Sequence, residues 1–188
     1  MNLRRGKSEV EWRGSKAKAS INLDGSGEVD LASGLTFLDH MLHAFSRTGL
    51  LDLKAKSGGG NYNGEAIGSA IGRALDQALG DRSGIRRYGT ASVPMDESLA
   101  EVALDLGGRS YLVFEGEFHS NRVGDLDTQQ VRSILETLAD GAGLTLHIRF
   151  YGENDHHEVE SIFKALGLAL RDAVRKEGIG VPSTKGII

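Results

Sequence analysis

An internal repeat constrains the fold of this 188-residue chain more than any other feature of its sequence. The segment 65–79 (EAIGSAIGRALDQAL) aligns with 160–174 (ESIFKALGLALRDAV) and is identical to it at seven of fifteen positions. Upstream, Gly49 aligns with Gly143, and the spacing from this glycine to the glutamate that opens each segment is 16 residues in one copy and 17 in the other. Two alanine-rich helices that match by composition alone are the alternative, but the agreement in upstream spacing favours a duplicated structural unit.

Each copy has the pattern helix, strand, loop, helix, because apolar residues at helical spacing are interrupted by short β-type runs. The predicted elements are, in chain order, strands over 17–23 and 28–31, a helix over 38–45, a strand over 50–56, a helix over 67–78, β-type runs over 90–93 and 100–114, a helix over 131–138, a strand over 144–150 and a helix over 162–174. Turns are expected at 24–27, 96–97 and 107–108. The prediction is an α+β protein with one domain, 1–188, built of two repeats of about 1–89 and 90–188, each a small mixed β-sheet backed by two helices.

Composition limits the kinds of site that the chain can carry. It contains no cysteine, which excludes a disulfide scaffold and every thiolate metal site, so any metal must be held by imidazole and carboxylate. A formal net charge of −4 leaves no broad basic surface for general nucleic-acid binding. No run approaches the ~20 apolar residues of a membrane span, and the first ten residues are too polar for a secretory signal. We therefore expect a cytoplasmic protein that binds neither nucleic acid nor membranes.

The segment 154–160 (NDHHEVE) combines a predicted helix start with candidate metal ligands. Asp155 is a suitable N-cap residue. His156 lies four residues before Glu160 and His157 three, so either imidazole can share a helix face with the carboxylate. Because adjacent helical residues point about 100° apart, the pair can serve two different metal ions. Plain surface histidines at a helix N-terminus are the competing interpretation.

Two further histidines lie in the repeated elements and favour the metal interpretation. His40 falls in the first predicted helix, and His147 in the strand over 144–150. On that strand His147 alternates with Leu146 and Ile148, so it should project from the opposite face. Divalent metals such as Mn²⁺ suit a mixture of imidazole and carboxylate ligands.

Eight separate blocks of sequence, in the same order and covering nearly the whole chain, resemble the imidazoleglycerol-phosphate dehydratase family of histidine biosynthesis. The blocks are FLDHML (37–42), GIRRYG (84–89), VPMDE (93–97), VALDLGGR (102–109), VGDLDT (123–128), AGLTLHI (142–148), HHEVESIFKA (156–165) and PSTKG (182–186).

The resemblance implies a ribosomal protein S5 domain 2-like fold made of a duplicated half-domain. It also implies trimers that assemble into a cubic 24-mer shell, with two Mn²⁺ ions per active site at subunit contacts. The implied reaction is a hydro-lyase step that converts imidazole glycerol phosphate into imidazole acetol phosphate. In it the metals bind the substrate imidazole, favour its imidazolate form and so help to expel the C3 hydroxyl after loss of the C2 proton.

Site residues follow from the resemblance position by position. The implied metal ligands are His40, Glu65, His147, His156, His157 and Glu160, of which the two glutamates are also candidate catalytic residues. The implied contacts to the substrate phosphate, which suit a phosphate dianion, are Arg87, Arg109, Ser183 and Lys185.

The first repeat departs from the family pattern at the expected ligands. A His-His pair should precede Glu65, as it precedes Glu160, but Asn61 and Tyr62 stand there, within a glycine-rich loop over 57–64. If the adjacent histidines of each pair serve different metals, about one imidazole is missing from each site. Three protein ligands per metal could remain, with weaker binding. Restoring the pair is expected to raise metal affinity, although only in part, because the loop must first be ordered.

Three other positions also depart from the family. A Glu-Thr pair expected near the N-terminus falls on Gly14 and Ser15, although Glu11 could substitute if the register slips by three. Thr48 stands where a histidine is expected. These departures leave two interpretations, an active dehydratase with weakened or altered metal sites and a non-catalytic or engineered homologue that keeps the fold and the shell.

Overall fold

The computed structural model describes residues 4–183 of the chain. The first half contains strands β1 (Arg5–Trp12), β2 (Ser15–Asn22), β3 (Val29–Ala32) and β4 (Asp52–Ser57) with helices α1 (Thr36–Gly49) and α2 (Asn63–Leu79). The second half contains strands β5 (Tyr88–Met95), β6 (Ser98–Asp105), β7 (Tyr111–Glu115), β8 (Arg122–Val123), β9 (Leu126–Asp127) and β10 (Thr145–Tyr151) with helices α3 (Thr128–Ala142) and α4 (Asp155–Ala173).

The two main sheets have the same topology, which confirms the predicted duplication and the α+β class. Their strand orders are β1-β2-β4-β3 and β5-β6-β10-β7. In each sheet the first three strands pair antiparallel, and the fourth strand pairs parallel with its neighbour. Strand β1 and the small β8–β9 hairpin are elements that the sequence pattern did not predict. The β-type run over 100–114 divides into β6 and β7 around the predicted turn at 107–108.

The ends of α1 and α3 correct the alignment of the two repeats by one residue. Each helix ends on a left-handed residue, Leu50 with φ 49° in the first half and Gly143 with φ 58° in the second. The next residues, Leu51 and Leu144, each donate a backbone N–H to the carbonyl five residues earlier. The structural counterpart of Gly143 is therefore Leu50 rather than Gly49.

The four helices lie between the two sheets and share one apolar core. Helix α2 packs on β1, β2 and β4, and α4 packs on β5, β6 and β10. The helices also pair across the halves, because α2 packs against α3 and α1 against α4. The inward residues of the strands are buried and apolar, whereas the outer faces of both sheets carry polar and charged side chains. No helix within residues 4–183 is long and apolar enough to cross a membrane.

Glycines at equivalent positions let strand and helix approach closely in both halves. A Cβ atom added to Gly6 on β1 would lie 1.9 Å from the carbonyl oxygen of Ala74 on α2. One added to Gly89 on β5 would lie 1.9 Å from the carbonyl oxygen of Ala169 on α4. The duplication therefore extends to the packing contacts between strand and helix.

Candidate metal centre

Helix α4 begins with a cap that differs from the predicted one. The N-cap is Asn154, whose side chain accepts the backbone N–H of His156 at 3.0 Å. Asp155, predicted as the cap, is instead the first helical residue and is buried. Its carboxylate accepts the backbone N–H groups of His119 and Ser120, both at 2.7 Å. The loop before β8 therefore holds Asp155 and fixes the direction in which the first turn of α4 points.

Three of the predicted ligands converge where α1 meets the start of α4. Glu160 Oε2 lies 3.3 Å from Nε2 of His40 and 3.2 Å from Nε2 of His156. The Phe37 ring lies edge-on to His156, with ring centroids 5.1 Å apart. Glu160 is buried, while both imidazoles are partly exposed. These three ligand atoms could hold one divalent cation and leave coordination positions open to water or substrate.

Glu160 is held in the charged form that a metal requires. Burial opposes its ionisation, but the hydrogen bond and charge of Lys164, together with His40, outweigh burial and lower the pKa of this carboxyl. Lys164 Nζ lies 2.8 Å from Glu160 Oε1, the oxygen that does not face the imidazoles. Lys164 thereby forms an ion pair with one oxygen of Glu160, and the other oxygen faces the candidate metal position.

His157 faces a different part of the molecule from His156. Its Nδ1 lies 3.0 Å from Glu97 Oε2 in the β5–β6 turn, and its Nε2 lies 3.9 Å from Asp96 Oδ2. The hydrogen bond with His157, with smaller contributions from the backbone and from Ser98, lowers the pKa of Glu97 to about 2. A carboxylate that accepts from Nδ1 leaves Nε2 as the coordinating atom. Glu97 is thus an orienting residue that the sequence analysis did not single out, although it lies in the VPMDE block.

A third group of candidate ligands, made of His119, Asp155 and Glu158, contains a buried acid. Glu158 is 1% exposed, and its Oε2 atom has no hydrogen-bond partner among the described residues. Burial, followed by the charge of Asp155, raises the pKa of Glu158 to about 7.

Replacing Glu158 by glutamine is expected to flatten the pH dependence of stability. Above about pH 4.5 the unfolded chain releases a proton that folded Glu158 retains, so the free energy of unfolding falls up to pH 7 and then levels off. This loss is on the order of 1–3 kcal/mol, and glutamine avoids it because its amide does not ionise. Urea unfolding of the metal-free proteins at pH 5 and pH 8 checks the prediction. The same difference between the two proteins at both pH values would contradict it.

Two other predicted ligands, Glu65 and His147, are not members of this cluster. Glu65 is buried on α2, and its Oε2 atom has no hydrogen-bond partner among residues 4–183. His147 is exposed on the outer face of β10, while Leu146 and Ile148 point towards the helices. Within one chain, the sheet therefore separates His147 from an ion held by His156. The ligand roles of Glu65 and His147 remain predictions.

The predicted phosphate contacts centre on Arg87. Its Nε and Nη2 atoms donate to the two carboxylate oxygens of Asp105 at 2.6 and 2.9 Å, and its Nη1 donates to the carbonyl of Pro182 at 2.8 Å. Arg87 thereby brings the segment that contains Ser183 to the start of β5. Arg109 is exposed, and its backbone carbonyl accepts the hydroxyl of Thr145. The remaining candidate contact, at position 185, is a lysine outside the described residues.

The metal cluster and the phosphate candidates lie at opposite ends of the second sheet. Arg87 precedes the first residue of β5, whereas Glu97, which holds His157, follows the last. A strand of eight residues spans roughly 25 Å at ~3.3 Å per residue. A small phosphorylated substrate cannot reach both groups within one chain.

Thr48 has a structural role at the position where a histidine was expected. Its hydroxyl donates to the carbonyl of Lys164 at 3.0 Å and so ties α1 to α4. The close contact also involves Gly167, where an added Cβ would lie 2.2 Å from the Thr48 hydroxyl.

Fold and site together define a class of protein, a duplicated α+β protein with a candidate imidazole–carboxylate metal centre at the start of a helix. A sequence model of the imidazoleglycerol-phosphate dehydratase family matches residues 33–170. The chain belongs to the imidazoleglycerol-phosphate dehydratase family.

Relatives of the chain carry the same family name. The imidazoleglycerol-phosphate dehydratase of Methanosarcina barkeri is 44% identical over 191 aligned residues, which cover 99% of this chain and 100% of that protein. The enzyme of Clostridium botulinum strain 657 is 46% identical over 182 residues, with 93% of each chain covered.

Solved structures of the family have the same fold. The dehydratase of Staphylococcus aureus superposes with a TM-score of 0.83 at 34% identity, covering 92% of this chain and 99% of that one. The enzyme of Pyrococcus furiosus, solved in complex with (S)-C348, gives a TM-score of 0.84 at 29% identity, with coverage of 96% and 100%.

Proposed function

We propose that this protein is a hydro-lyase that converts imidazole glycerol phosphate into imidazole acetol phosphate in histidine biosynthesis, and that it is not a non-catalytic homologue. The observation that carries the proposal is the convergence of His40, His156 and Glu160 on one position, with Glu160 charged and half-neutralised by Lys164. A homologue that kept only the fold would not need two imidazoles and a charged carboxylate to converge in this way. We place the activity in the cytoplasm.

His40, His156 and Glu160 would hold the divalent ion, for which we propose Mn²⁺. When bound, such an ion supplies Lewis acidity towards the substrate imidazole. Lys164 keeps the second oxygen of Glu160 out of the ligand set, because that oxygen is already hydrogen-bonded. His157, whose Nδ1 contacts Glu97, would offer Nε2 as a further metal ligand or substrate contact. The carboxyl of Glu65 remains a predicted catalytic group.

The substrate phosphate would be held by Arg87, Arg109, Ser183 and Lys185. Because the metal cluster and Arg87 occupy opposite ends of the second sheet, we propose that each active site is shared between two copies of the chain. One copy supplies the metal cluster, and the other supplies the residues that hold the phosphate.

We propose that this chain forms trimers that assemble into a 24-mer shell, with repeats of about 1–89 and 90–188 forming one domain. Light scattering should then give a particle of about 480 kDa from 20.1 kDa subunits, and a monomer in the presence of metal would refute the shared site.

Removal and return of metal tests the activity directly. Protein stripped with a chelator is expected to form no imidazole acetol phosphate, and added Mn²⁺ is expected to restore product formation, because imidazole and carboxylate ligands alone do not activate the leaving hydroxyl. Parallel samples with Mg²⁺ test whether the imidazole-rich site discriminates against a metal that prefers oxygen ligands. Absence of product in protein that has bound Mn²⁺ would contradict the proposed function.

A further inference from the structure

The duplication places a counterpart of the metal cluster in the first repeat, between α2 and α3. His40 lies ten residues before the left-handed end of α1, and Ser133 lies ten residues before the left-handed end of α3. The same repeat pairs His156 with Asn61 and Glu160 with Glu65. Of the three donors, only the carboxylate is present in the first-repeat set. The missing imidazoles therefore all belong to the first-repeat set of positions. The sequence alone suggested instead that about one imidazole was missing from each of two metal sites.

The packing of the helices supports this pairing of positions. A Cβ atom added to Gly72 on α2 would lie 2.3 Å from the carbonyl oxygen of Leu138 on α3. One added to Gly167 on α4 would lie 2.4 Å from the carbonyl oxygen of Phe45 on α1. Leu138 and Phe45 each lie five residues before the left-handed end of their helix, so both helix pairs touch at equivalent positions.

The first turn that carries His156 and His157 in α4 is not helical in the first repeat. Helix α4 begins at Asp155, whereas α2 begins at Asn63, three positions later in the repeat. The counterparts of Asn154 and Asp155 are Gly59 and Gly60, with φ 95° and 122°, so the position of the N-cap has no side chain in this half. A helix is what brings residues i and i+4 onto one face, so side chains at 61 and 65 do not share a face in this half.

The β1–β2 turn contacts the loop before α2 at the first-repeat counterpart of the metal cluster. We call the residues that make these contacts, Arg13, Ser15, Gly60 and Tyr62, the clasp. The backbone N–H of Tyr62 donates to Ser15 Oγ at 3.0 Å, and Ser15 is fully buried. The Arg13 guanidinium lies over the Tyr62 ring at 5.3 Å from its centroid. A Cβ atom added to Gly60 would lie 2.3 Å from Ser15 Oγ. The two departures at positions 15 and 62 are thus in direct contact with each other.

We propose that the protein binds one divalent ion per chain, at His40, His156 and Glu160. The clasp occupies the place where a second metal cluster would lie in the first repeat. A protein metal site of this kind needs about three or more ligands, and Glu65 supplies one. The clasp instead makes a cation–π contact and a hydrogen bond to a buried hydroxyl, which are structural contacts. This inference rests on the proposed function for the identity of the metal, but it concerns stoichiometry and not turnover.

Matched variants at equivalent positions test the asymmetry. After equilibrium dialysis of the full chain against Mn²⁺, elemental analysis is expected to find one ion per chain in the wild type and in Glu65→Gln. It is expected to find less than about 0.2 ion per chain in Glu160→Gln, since that change removes the shared donor. Circular dichroism confirms that each variant is folded. Two ions per wild-type chain, or loss of an ion in Glu65→Gln, would overturn the inference.

A second variant tests the clasp itself. Asn61→His combined with Tyr62→His is expected to leave the stoichiometry at one, because Ser133 and the non-helical turn remain, and this replaces the gain that the sequence alone led us to expect. A second bound ion in that variant would overturn the clasp as the barrier. A product assay on the same samples keeps the two proposals distinguishable. One ion without turnover defeats the proposed function alone, and two ions with turnover defeat the stoichiometry alone.

Discussion

Replacing His40 by alanine is expected to lower kcat/KM by more than about 100-fold and to abolish tight Mn²⁺ binding. Loss of an outer-shell partner of a metal ligand typically costs 10–100-fold, and His40 is a direct donor in a cluster of three. Among the described residues, the substitution also leaves Glu160 with only His156 and Lys164 as partners, so the carboxylate is freer to turn away from the metal position.

His43→Ala is the matched control for this experiment. His43 lies one turn further along α1 and is exposed, and no cluster of candidate ligands within residues 4–183 contains it. Its removal is expected to leave metal content and turnover within about twofold of the wild type. Steady-state kinetics with elemental analysis on both variants decides the point. Equal losses in the two variants would mean that α1 contributes no specific donor.

Replacing Gly89 by valine is expected to destabilise the protein by about 3 kcal/mol or more, although valine favours β-strands. A Cβ atom at this position would lie 1.9 Å from the carbonyl oxygen of Ala169 and 2.8 Å from its carbonyl carbon. Both are backbone atoms of α4, so the clash cannot be relieved by turning a side chain. Overpacking in a close-packed interior typically costs 1–3 kcal/mol, and valine adds two methyl groups beyond the Cβ.

The control for Gly89→Val is Gly178→Ala, where an added Cβ meets no atom within 4 Å. This variant is expected to unfold within about 0.5 kcal/mol of the wild type, as surface substitutions usually do. Chemical denaturation of both variants gives the comparison. A stable Gly89→Val protein would show that β5 can move away from α4 without loss of packing.

Most of the fold could be predicted from two local features of the sequence, the periodicity of apolar residues and the spacing of motifs. The helices, the turn at 96–97 and the duplication are visible in the sequence because periodicity and spacing reflect local geometry. The alignment of the repeats was off by one residue between Gly49 and Gly143, because equating the two glycines ignores that Leu50 ends α1 in the left-handed conformation that Gly143 adopts in α3. Strand β1 was missed because charged residues on its outer face mask the alternation of the buried ones.

The candidate site was only partly predictable. The spacing of the segment 154–160 allowed either His156 or His157 to pair with Glu160, and the tertiary structure pairs Glu160 with His156. His157 turns to Glu97 because the β5–β6 turn lies beside that face of α4, a contact between residues 60 positions apart. No periodicity reports contacts between segments so distant in the chain.

What the sequence by itself determined is the set of chemical groups: no thiolate, imidazoles and carboxylates grouped near a helix start, and the motif order of the family. What only the tertiary structure decided is which of these groups meet. It brought His40 to Glu160 across the contact of α1 with α4, put His147 on the far face of its sheet, and paired Ser15 with Tyr62 at the opposite repeat. The physical reason is that composition and spacing act along the chain, whereas a metal position and a close contact are set by packing between helices and strands that are far apart in sequence.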